Sequence, residues 1–308
     1  MAAKPQWLAV HALSPEDALG ATALRASVAA FKGKLAGTAA RGPFDAIMGQ
    51  VAAPTDVAFE ADTVGGISGL WAKPARPRKG AAILHLHGGW FNLGTARAYR
   101  NFVGQIAASA GADAFVPDYR LAPEHLFPAA VEDVEACYRG LVDKGINKIA
   151  LTGDSAGGDL ALVLLSIASA RNGGIAPVGA VAISPVTDLA LSGESFETRA
   201  AADPYFTKSQ VAGLVAAYLG ETDPKNPLAS PLYGDLTGLP PIRVHVGDDE
   251  VLLDDSRRYV ERAVAAGVDA TLDVWMGMPH GFVTGVREFD AARQALNAIG
   301  AFTAERLR

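Results

Sequence analysis

A serine lies between two glycines in the pentapeptide from Gly153 to Gly157, which fits the pattern G-x-S-x-G. The apolar run from Ile149 to Leu151 predicts a strand before it, and the run from Leu160 to Ala170 predicts a helix after it. A sharp turn between a strand and a helix exposes a serine hydroxyl at the top of a sheet. The pattern therefore predicts that Ser155 is a nucleophile, the alternative being a glycine-rich connection without chemistry.

A second pair of glycines follows the apolar run from Ala81 to Leu86. Acyl transfer needs N–H donors aimed at the oxygen that becomes negative in the tetrahedral intermediate, and glycines let backbone N–H groups approach it closely. The residue after the nucleophile supplies a further donor. Unless this segment is a simple glycine turn, we expect the N–H groups of its glycines, Gly88 and Gly89, and that of Ala156 to line an oxyanion hole.

The chain contains six histidines, and His280 is the candidate general base. It follows the last predicted strand, Thr271 to Trp275, in a flexible glycine and proline context. A loop at that place can reach the carboxyl edge of a sheet, where Ser155 is expected. His85 and His245 lie inside predicted strands, where packed rings are expected instead.

Three consecutive acids, Asp248, Asp249 and Glu250, follow the predicted strand from Ile242 to Val246. The acid of a Ser-His-acid triad orients the imidazole and stabilises its cation, and it belongs after such a strand. All three acids are within reach of the base, so their position alone leaves the choice between them open.

Three motifs, in order along the chain, resemble those of the hormone-sensitive-lipase-like bacterial esterases, also called family IV, of the α/β-hydrolase superfamily. The segment from His87 to Gly94 resembles H-G-G-G-F-x-x-G, Asp118 to Glu124 resembles D-Y-R-L-A-P-E, and Gly153 to Gly157 matches G-D-S-A-G. The resemblance runs from about residue 80 to the end. It implies an α/β-hydrolase fold with a helical cap and hydrolysis of short- to medium-chain acyl esters through an acyl-enzyme. It also implies an oxyanion hole made of the N–H groups of Gly88 or Gly89, Trp90 and Ala156.

The family pattern D-P-L-x-D-E also bears on the acid. Aligning its later acidic pair on Asp254 and Asp255 places Glu250 at the position of the triad acid, with Asp249 as the alternative. The other reading of each is a solvated charge of the loop.

Trp90 stands where the family has its third glycine. Because tryptophan cannot use the φ values open only to glycine, we expect an ordinary backbone conformation here, with the indole directed into the pocket or the cap. Trp90 should then narrow the acyl or alcohol site. Candidate substrate contacts are Trp90, Phe91, Tyr205 and Phe206, although a purely structural role suits the last two equally well.

Short apolar runs alternate with helical ones from residue 81 onward, which predicts a parallel sheet covered by helices on both faces. With a hairpin before residue 81, the sequence predicts a mostly parallel eight-stranded sheet. Residues 1–50 are expected to form the N-terminal part of the helical cap, and 51–308 the catalytic domain with a cap insertion at about 185–240. We also expect Asp118, Arg120 and Glu124 to form one charge network beneath the site.

Composition argues against several other classes. The 308 residues carry a net charge of −6 without a basic face, so no nucleic-acid partner is expected. No zinc-ligand spacing or nucleotide-binding glycine motif occurs, so we expect neither a metal nor a cofactor. Without a leader, a long apolar stretch or a cysteine pair, no membrane span is expected and a cytoplasmic location is compatible.

Several alternatives to an esterase stay open. A lactone hydrolase or a deacetylase would use the same chemistry, and a peptidase can have the same fold. A non-catalytic ligand receptor is disfavoured by the presence of both Ser155 and His280. A homodimer is allowed by the resemblance, because members of the family often dimerise through an edge strand.

Overall fold

The computed structural model describes residues 5–171 and 174–308, so residues 1–4 of the predicted cap segment lie outside the described residues. Within these ranges the chain forms one nine-stranded sheet. In chain order the strands are β1 (Leu8–His11), β2 (Val57–Val64), β3 (Ile67–Pro74), β4 (Ala81–Leu86), β5 (Asp113–Pro117), β6 (Lys148–Asp154), β7 (Gly179–Ile183), β8 (Ile242–Gly247) and β9 (Ala270–Trp275).

The helices cover the sheet and form the segments beyond its carboxyl edge. In chain order they are α1 (Pro15–Val28), α2 (Arg41–Met48), α3 (Ala96–Ala110), α4 (Ala129–Asp143), α5 (Ala156–Ser169), α6 (Ser195–Thr198), α7 (Lys208–Leu219), α8 (Leu253–Ala265) and α9 (Asp290–Arg306). Within residues 5–171 and 174–308, every helix is too short or too polar to span a lipid bilayer.

The strand order is β1-β9-β8-β7-β6-β4-β5-β3-β2, and all pairs are parallel except β2 with β3 and β3 with β5. β4 is buried at every position, because a central parallel strand is covered on both faces. This explains why its sequence is an uninterrupted apolar run apart from His85, whose Nδ1 lies 2.9 Å from the Thr152 hydroxyl. The predicted fold class is confirmed.

The predicted number of strands was too low, because β1 lies in a region that we expected to be helical. β1 pairs in parallel with β9, with Leu8 opposite Leu272 and His11 opposite Trp275. His11 is held there by stacking on Trp275 at 3.8 Å and by an Nε2–Oδ1 contact of 2.8 Å with Asp273. A run of four residues has no clear periodicity of its own, and its partner lies more than 250 residues away.

The N-terminal segment and the insertion contact each other beyond the carboxyl edge of the sheet. We call residues 12–50 and 185–240 together the cap. The Gln210 side chain donates to the carbonyl of Leu35 at 2.6 Å, and the Gly33 N–H donates to the carbonyl of Tyr205 at 2.8 Å. These bonds join the two parts of the cap, whereas its exact boundaries stay a prediction.

The charge network expected around Asp118, Arg120 and Glu124 was wrong, because each residue has a different partner. The Asp118 carboxylate accepts from the Ala96 N–H at the start of α3 at 2.6 Å. Arg120 pairs with Asp133 of α4 at 2.8 Å, and Glu124 pairs with Arg41 of the cap at 2.6 Å. The three groups therefore fasten this loop to three separate elements, which lie too far apart in the sequence to be predicted from it.

Candidate active site

Ser155 lies at the turn between β6 and α5 with φ of 54° and ψ of −121°. A non-glycine residue rarely adopts this conformation, which costs of the order of 1–3 kcal/mol. Two hydrogen bonds hold it, since the Ser155 N–H donates to Ile183 at 2.8 Å and the Val186 N–H donates to the Ser155 carbonyl at 3.2 Å. The turn thus has the strained geometry typical of a nucleophile at the end of a strand, and Ser155 itself is buried.

The glycines of the pentapeptide are required by close packing of the backbone. A Cβ atom on Gly157 would overlap the carbonyl group of Leu86, and one on Gly153 would overlap the carbonyl group of Gly157. Ala156 is the first residue of α5, so its N–H has no acceptor within the helix. The turn therefore places a backbone donor next to Ser155.

The loop after β4 is fixed to the nucleophile turn through Asp154. The Gly88 N–H donates to Asp154 Oδ1 at 3.1 Å, and the Tyr99 hydroxyl donates to Asp154 Oδ2 at 3.0 Å. Because Asp154 occupies the Gly88 N–H, this geometry favours Gly89 over Gly88 as the donor in the predicted pair. The sequence pattern does not predict these roles, because Asp154 stands at one of the two variable positions of G-x-S-x-G and Tyr99 lies outside the motif.

The expectation of an ordinary backbone conformation at Trp90 was wrong. Trp90 has φ of 53° and Phe91 has φ of 60°, both in the left-handed region. The loop is held by hydrogen bonds that the local sequence does not reveal: the N–H groups of Asn92 and Leu93 donate to the Gly89 carbonyl at 3.0 and 2.9 Å, and the Asn92 side chain donates to the Trp90 carbonyl. These bonds offset the cost of about 1–2 kcal/mol per left-handed residue.

The aromatic candidates differ in what they contact. The Trp90 ring is buried and lies edge-on to Phe206 at 5.4 Å, and Phe206 in turn lies edge-on to His280 at 5.0 Å. Phe91 instead stacks on Tyr218 of α7 at 3.9 Å and is fully buried, which indicates packing between the loop and the cap. Phe206 therefore lies between the loop after β4 and the candidate base.

The Glu250 carboxylate holds the His280 ring. Glu250 is fully buried; its Oε2 lies 2.6 Å from His280 Nδ1, and its Oε1 accepts from the Gly247 N–H at 3.0 Å. Asp249 points elsewhere and pairs with Arg25 of α1, while Asp248 pairs with Arg199 at 3.2 Å. Glu250 is thus the acid of the three that contacts the candidate base.

Opposing effects act on the pKa of His280. Burial lowers this pKa, but the nearby Glu250 carboxylate raises it through its charge and its hydrogen bond, and the charges of Asp203 and Asp154 raise it further. The result is a pKa above the ordinary histidine value. An imidazole with a strengthened affinity for a proton is suited to accept one from a hydroxyl.

Ser155 and His280 approach the same edge from β6 and from the loop after β9. The hydrogen bond of the His280 ring in this structure is the one with Glu250. In the part of the chain that the structure describes, none joins the ring to Ser155. Contacts between a nucleophile and its base are often long without substrate and shorten in the complex.

Comparisons with known proteins agree with this architecture. The family model described as the alpha/beta hydrolase fold matches residues 83–284. An acetyl-hydrolase of Streptomyces hygroscopicus is 40% identical over 243 residues, which cover 78% of this chain and 80% of that protein. An esterase of Acinetobacter venetianus is 36% identical over 223 residues, covering 71% and 73%.

Solved structures give the same result over almost the whole chain. An esterase from the bacterial hormone-sensitive lipase family has a TM-score of 0.87 at 40% identity, covering 97% of this chain and 100% of that one. The esterase EstE5, in a crystal soaked with p-nitrophenyl butyrate, has a TM-score of 0.86 at 38% identity, covering 96% and 99%. The chain therefore belongs to the α/β-hydrolase fold family and, within it, to the hormone-sensitive-lipase-like esterases.

Proposed function

We propose that the protein is a serine carboxylesterase that cleaves short- to medium-chain acyl esters, with Ser155 as nucleophile, His280 as general base and Glu250 as the acid that orients the base. The observation that carries this assignment is the 2.6 Å contact between Glu250 and His280 at the sheet edge where Ser155 occupies its strained turn. Family membership supports the ester-hydrolase class.

The proposed reaction has two steps. Ser155 Oγ attacks the ester carbonyl while His280 Nε2 takes its proton, and Glu250 at Nδ1 stabilises the imidazolium. The alcohol leaves with the proton from His280. Water, activated by the same base, then cleaves the acyl-enzyme and releases the carboxylic acid.

We assign the oxyanion hole to the N–H groups of Gly89, Trp90 and Ala156. The Gly88 N–H instead anchors this loop by its hydrogen bond to the Asp154 carboxylate. The helix dipole of α5 adds a positive end beside Ala156. Preorganised donors of this kind each contribute on the order of 10²–10³ in kcat.

The expected substrates are small. Trp90 and Phe206 place two aromatic rings in one contiguous group with His280, which limits the space beside the base. One similar protein is named an acetyl-hydrolase, and EstE5 was soaked with a butyrate ester. Both names support short acyl groups, and the first also makes removal of an acetyl group a second candidate within the same chemistry.

Two further proposals concern the molecule as a whole. The single cysteine, Cys137, allows no internal disulfide, which supports a reducing compartment such as the cytoplasm. We also propose a homodimer through an edge of the sheet, which the position of the short strand β1 as an edge strand supports. Nucleic acid is not expected among the partners, because the net charge of −6 would repel it.

The test compares the protein with Ser155→Ala on p-nitrophenyl butyrate and on a peptide amide. We expect ester hydrolysis that is lost in the variant, with little cleavage of the amide. Retained hydrolysis in Ser155→Ala would contradict the proposal. Saturable binding of the ester without turnover in the unaltered protein would favour the receptor alternative.

A further inference from the structure

The Arg25 side chain, near the end of α1, joins three separate segments of the chain. One of its terminal nitrogens donates to the Asp249 carboxylate and, at 3.0 Å, to the Gly277 carbonyl. Its Nε donates to the Ala202 carbonyl at 3.3 Å. A single guanidinium thus contacts the loop of the triad acid, the loop of the base and the cap insertion.

The two loops held by Arg25 also bind each other. The Asp249 N–H donates to the Met278 carbonyl at 3.1 Å, and the Asp248 N–H donates to the Trp275 carbonyl at 2.9 Å. Asp249 immediately precedes Glu250, and Gly277 lies three residues before His280. A shift of either loop would therefore move a member of the proposed triad.

The third contact of Arg25, with the Ala202 carbonyl, also connects Arg25 to the His280 ring. Ala202 precedes Asp203, whose fully buried carboxylate accepts from the N–H groups of Phe206 and Val251, each at 2.9 Å. The Phe206 ring lies 5.0 Å from the His280 ring. Arg25 thus contacts the segment whose Phe206 ring packs against the His280 ring.

We propose that Arg25 is a positioning residue for the reaction: through Arg25, the cap holds His280 and Glu250 in the correct position relative to Ser155. This inference rests on the proposed triad. Arg25 and Asp249 are 31% and 24% exposed, so solvent screens their charges and the contribution to stability is small. The planar guanidinium with its several donors matters more, because the single ammonium group of lysine cannot reproduce its geometry.

The experiment measures kcat and KM for p-nitrophenyl butyrate in Arg25→Ala, Arg25→Lys, Asp249→Ala and the double variant Arg25→Ala with Asp249→Ala. The matched control is Lys208→Ala, which removes an exposed ion pair with Glu197 within the cap. Active sites are counted by fluorophosphonate labelling, so that misfolded protein does not enter kcat. Thermal unfolding is recorded for every variant.

We expect Arg25→Ala to lower kcat about 10- to 100-fold with KM within about twofold, because displaced groups slow the chemical step more than binding. Arg25→Lys should recover only part of this loss. The double variant should be no slower than Arg25→Ala alone, because both changes remove one interaction. Lys208→Ala should stay within about twofold of the unaltered protein.

The pH profile separates positioning from a simple effect of charge. Removing the positive charge of Arg25 would raise the pKa of His280. A pure charge effect would therefore shift the acid limb of the kcat profile to higher pH, and kcat of the variant would equal that of the unaltered protein at alkaline pH. Positioning predicts a kcat that stays low on the alkaline plateau.

A plateau kcat in Arg25→Ala equal to that of Lys208→Ala would overturn the proposal, as would single-variant losses that multiply in the double variant. A different result, ester hydrolysis retained in Ser155→Ala, would contradict the proposed function itself.

Discussion

At the residue scale, neighbouring acids have different partners. One carboxylate oxygen of Glu250 is hydrogen-bonded to His280 Nδ1 and the other accepts from the Gly247 N–H, whereas Asp249 pairs with Arg25 of the cap. In the proposed triad, glutamate takes the place that aspartate holds in many others, and the buried Glu250 side chain reaches the imidazole.

Glu250→Gln tests this division directly. The glutamine amide would either donate to Nδ1 and stabilise the wrong tautomer or leave the imidazolium without a counter-charge. We expect a loss of about 10³- to 10⁴-fold in kcat. The measurement is steady-state hydrolysis of p-nitrophenyl butyrate per mole of protein, with folding checked by thermal unfolding.

The control is Asp249→Asn, whose amide oxygen can still accept from Arg25. Only a few-fold change in kcat is expected. The assignment of the acid would be wrong if Asp249→Asn lost most of the activity while Glu250→Gln kept it.

The pKa of His280 gives a second prediction at this scale. Because Glu250 raises this pKa above the ordinary value, kcat/KM should fall on the acid side with an apparent pKa above about 6.5. Glu250→Gln removes the charge that stabilises the imidazolium, so the residual activity should show its acid limb at lower pH. A limb that stays in place or moves upward would show that Glu250 does not act on the base.

At the element scale, the loop after β4 has two consecutive aromatic residues in the left-handed region. Trp90 and Phe91 are held there by hydrogen bonds from Asn92 and Leu93 and by the packing of Phe91 on Tyr218. The loop thus presents its N–H groups in a fixed arrangement without the third glycine that similar motifs have.

Trp90→Gly should widen the range of acyl chains that the enzyme accepts. Glycine adopts the observed φ of 53° without strain, so the loop is expected to keep its path while the space beside Phe206 opens. The measurement is kcat/KM for p-nitrophenyl esters from acetate to decanoate. An unchanged chain-length profile would refute a size-limiting role for Trp90.

The sequence predicted elements with strong local patterns and missed those fixed by distant partners. The predicted strands from Ala81 to Leu86 and from Ile242 to Val246 agree with β4 and, to within one residue, with β8, because their apolar patterns are local. β1 was missed because its four residues are defined by pairing with β9. The φ of Trp90 could not be predicted for the same reason, since its hydrogen bonds come from the folded loop.

The candidate site was predictable in outline because its motifs are local, and the resemblance favoured Glu250 as the acid with Asp249 as the alternative. The positioning residues were not predictable, because Arg25 meets its partners across more than 170 residues of sequence. Asp17 also has partners that are distant in the sequence, because its carboxylate accepts from the Asp290 and Ala291 N–H groups at the start of α9.

At the scale of the whole molecule, a buried carboxyl group links stability to pH. Asp255 is fully buried at the start of α8, and this burial raises its pKa to about 8. The Thr187 N–H, which donates to the Asp255 carboxylate at 2.8 Å, has a smaller, lowering effect on the pKa. Its pKa in the unfolded chain is near 4. Between pH 4 and 8 the unfolded chain has released a proton that the folded chain retains, so the free energy of unfolding falls as pH rises.

Asp255→Asn removes this dependence, because an amide does not titrate and its oxygen can still accept from Thr187. We expect a flatter pH profile of the unfolding free energy, by up to about 1.4 kcal/mol per pH unit. Urea unfolding at pH 5 and pH 8 measures it, with the exposed Asp223→Asn as control. Parallel profiles for Asp255→Asn and the unaltered protein would show that Asp255 is ionised in the fold.

Covalent labelling by a fluorophosphonate, located by mass spectrometry of the digested protein, tests the central assignment most directly. We predict one label per chain, on Ser155, with loss of ester hydrolysis in proportion to labelling, and much slower labelling of His280→Ala. A label on another residue, or full hydrolysis by protein labelled at Ser155, would contradict the assignment.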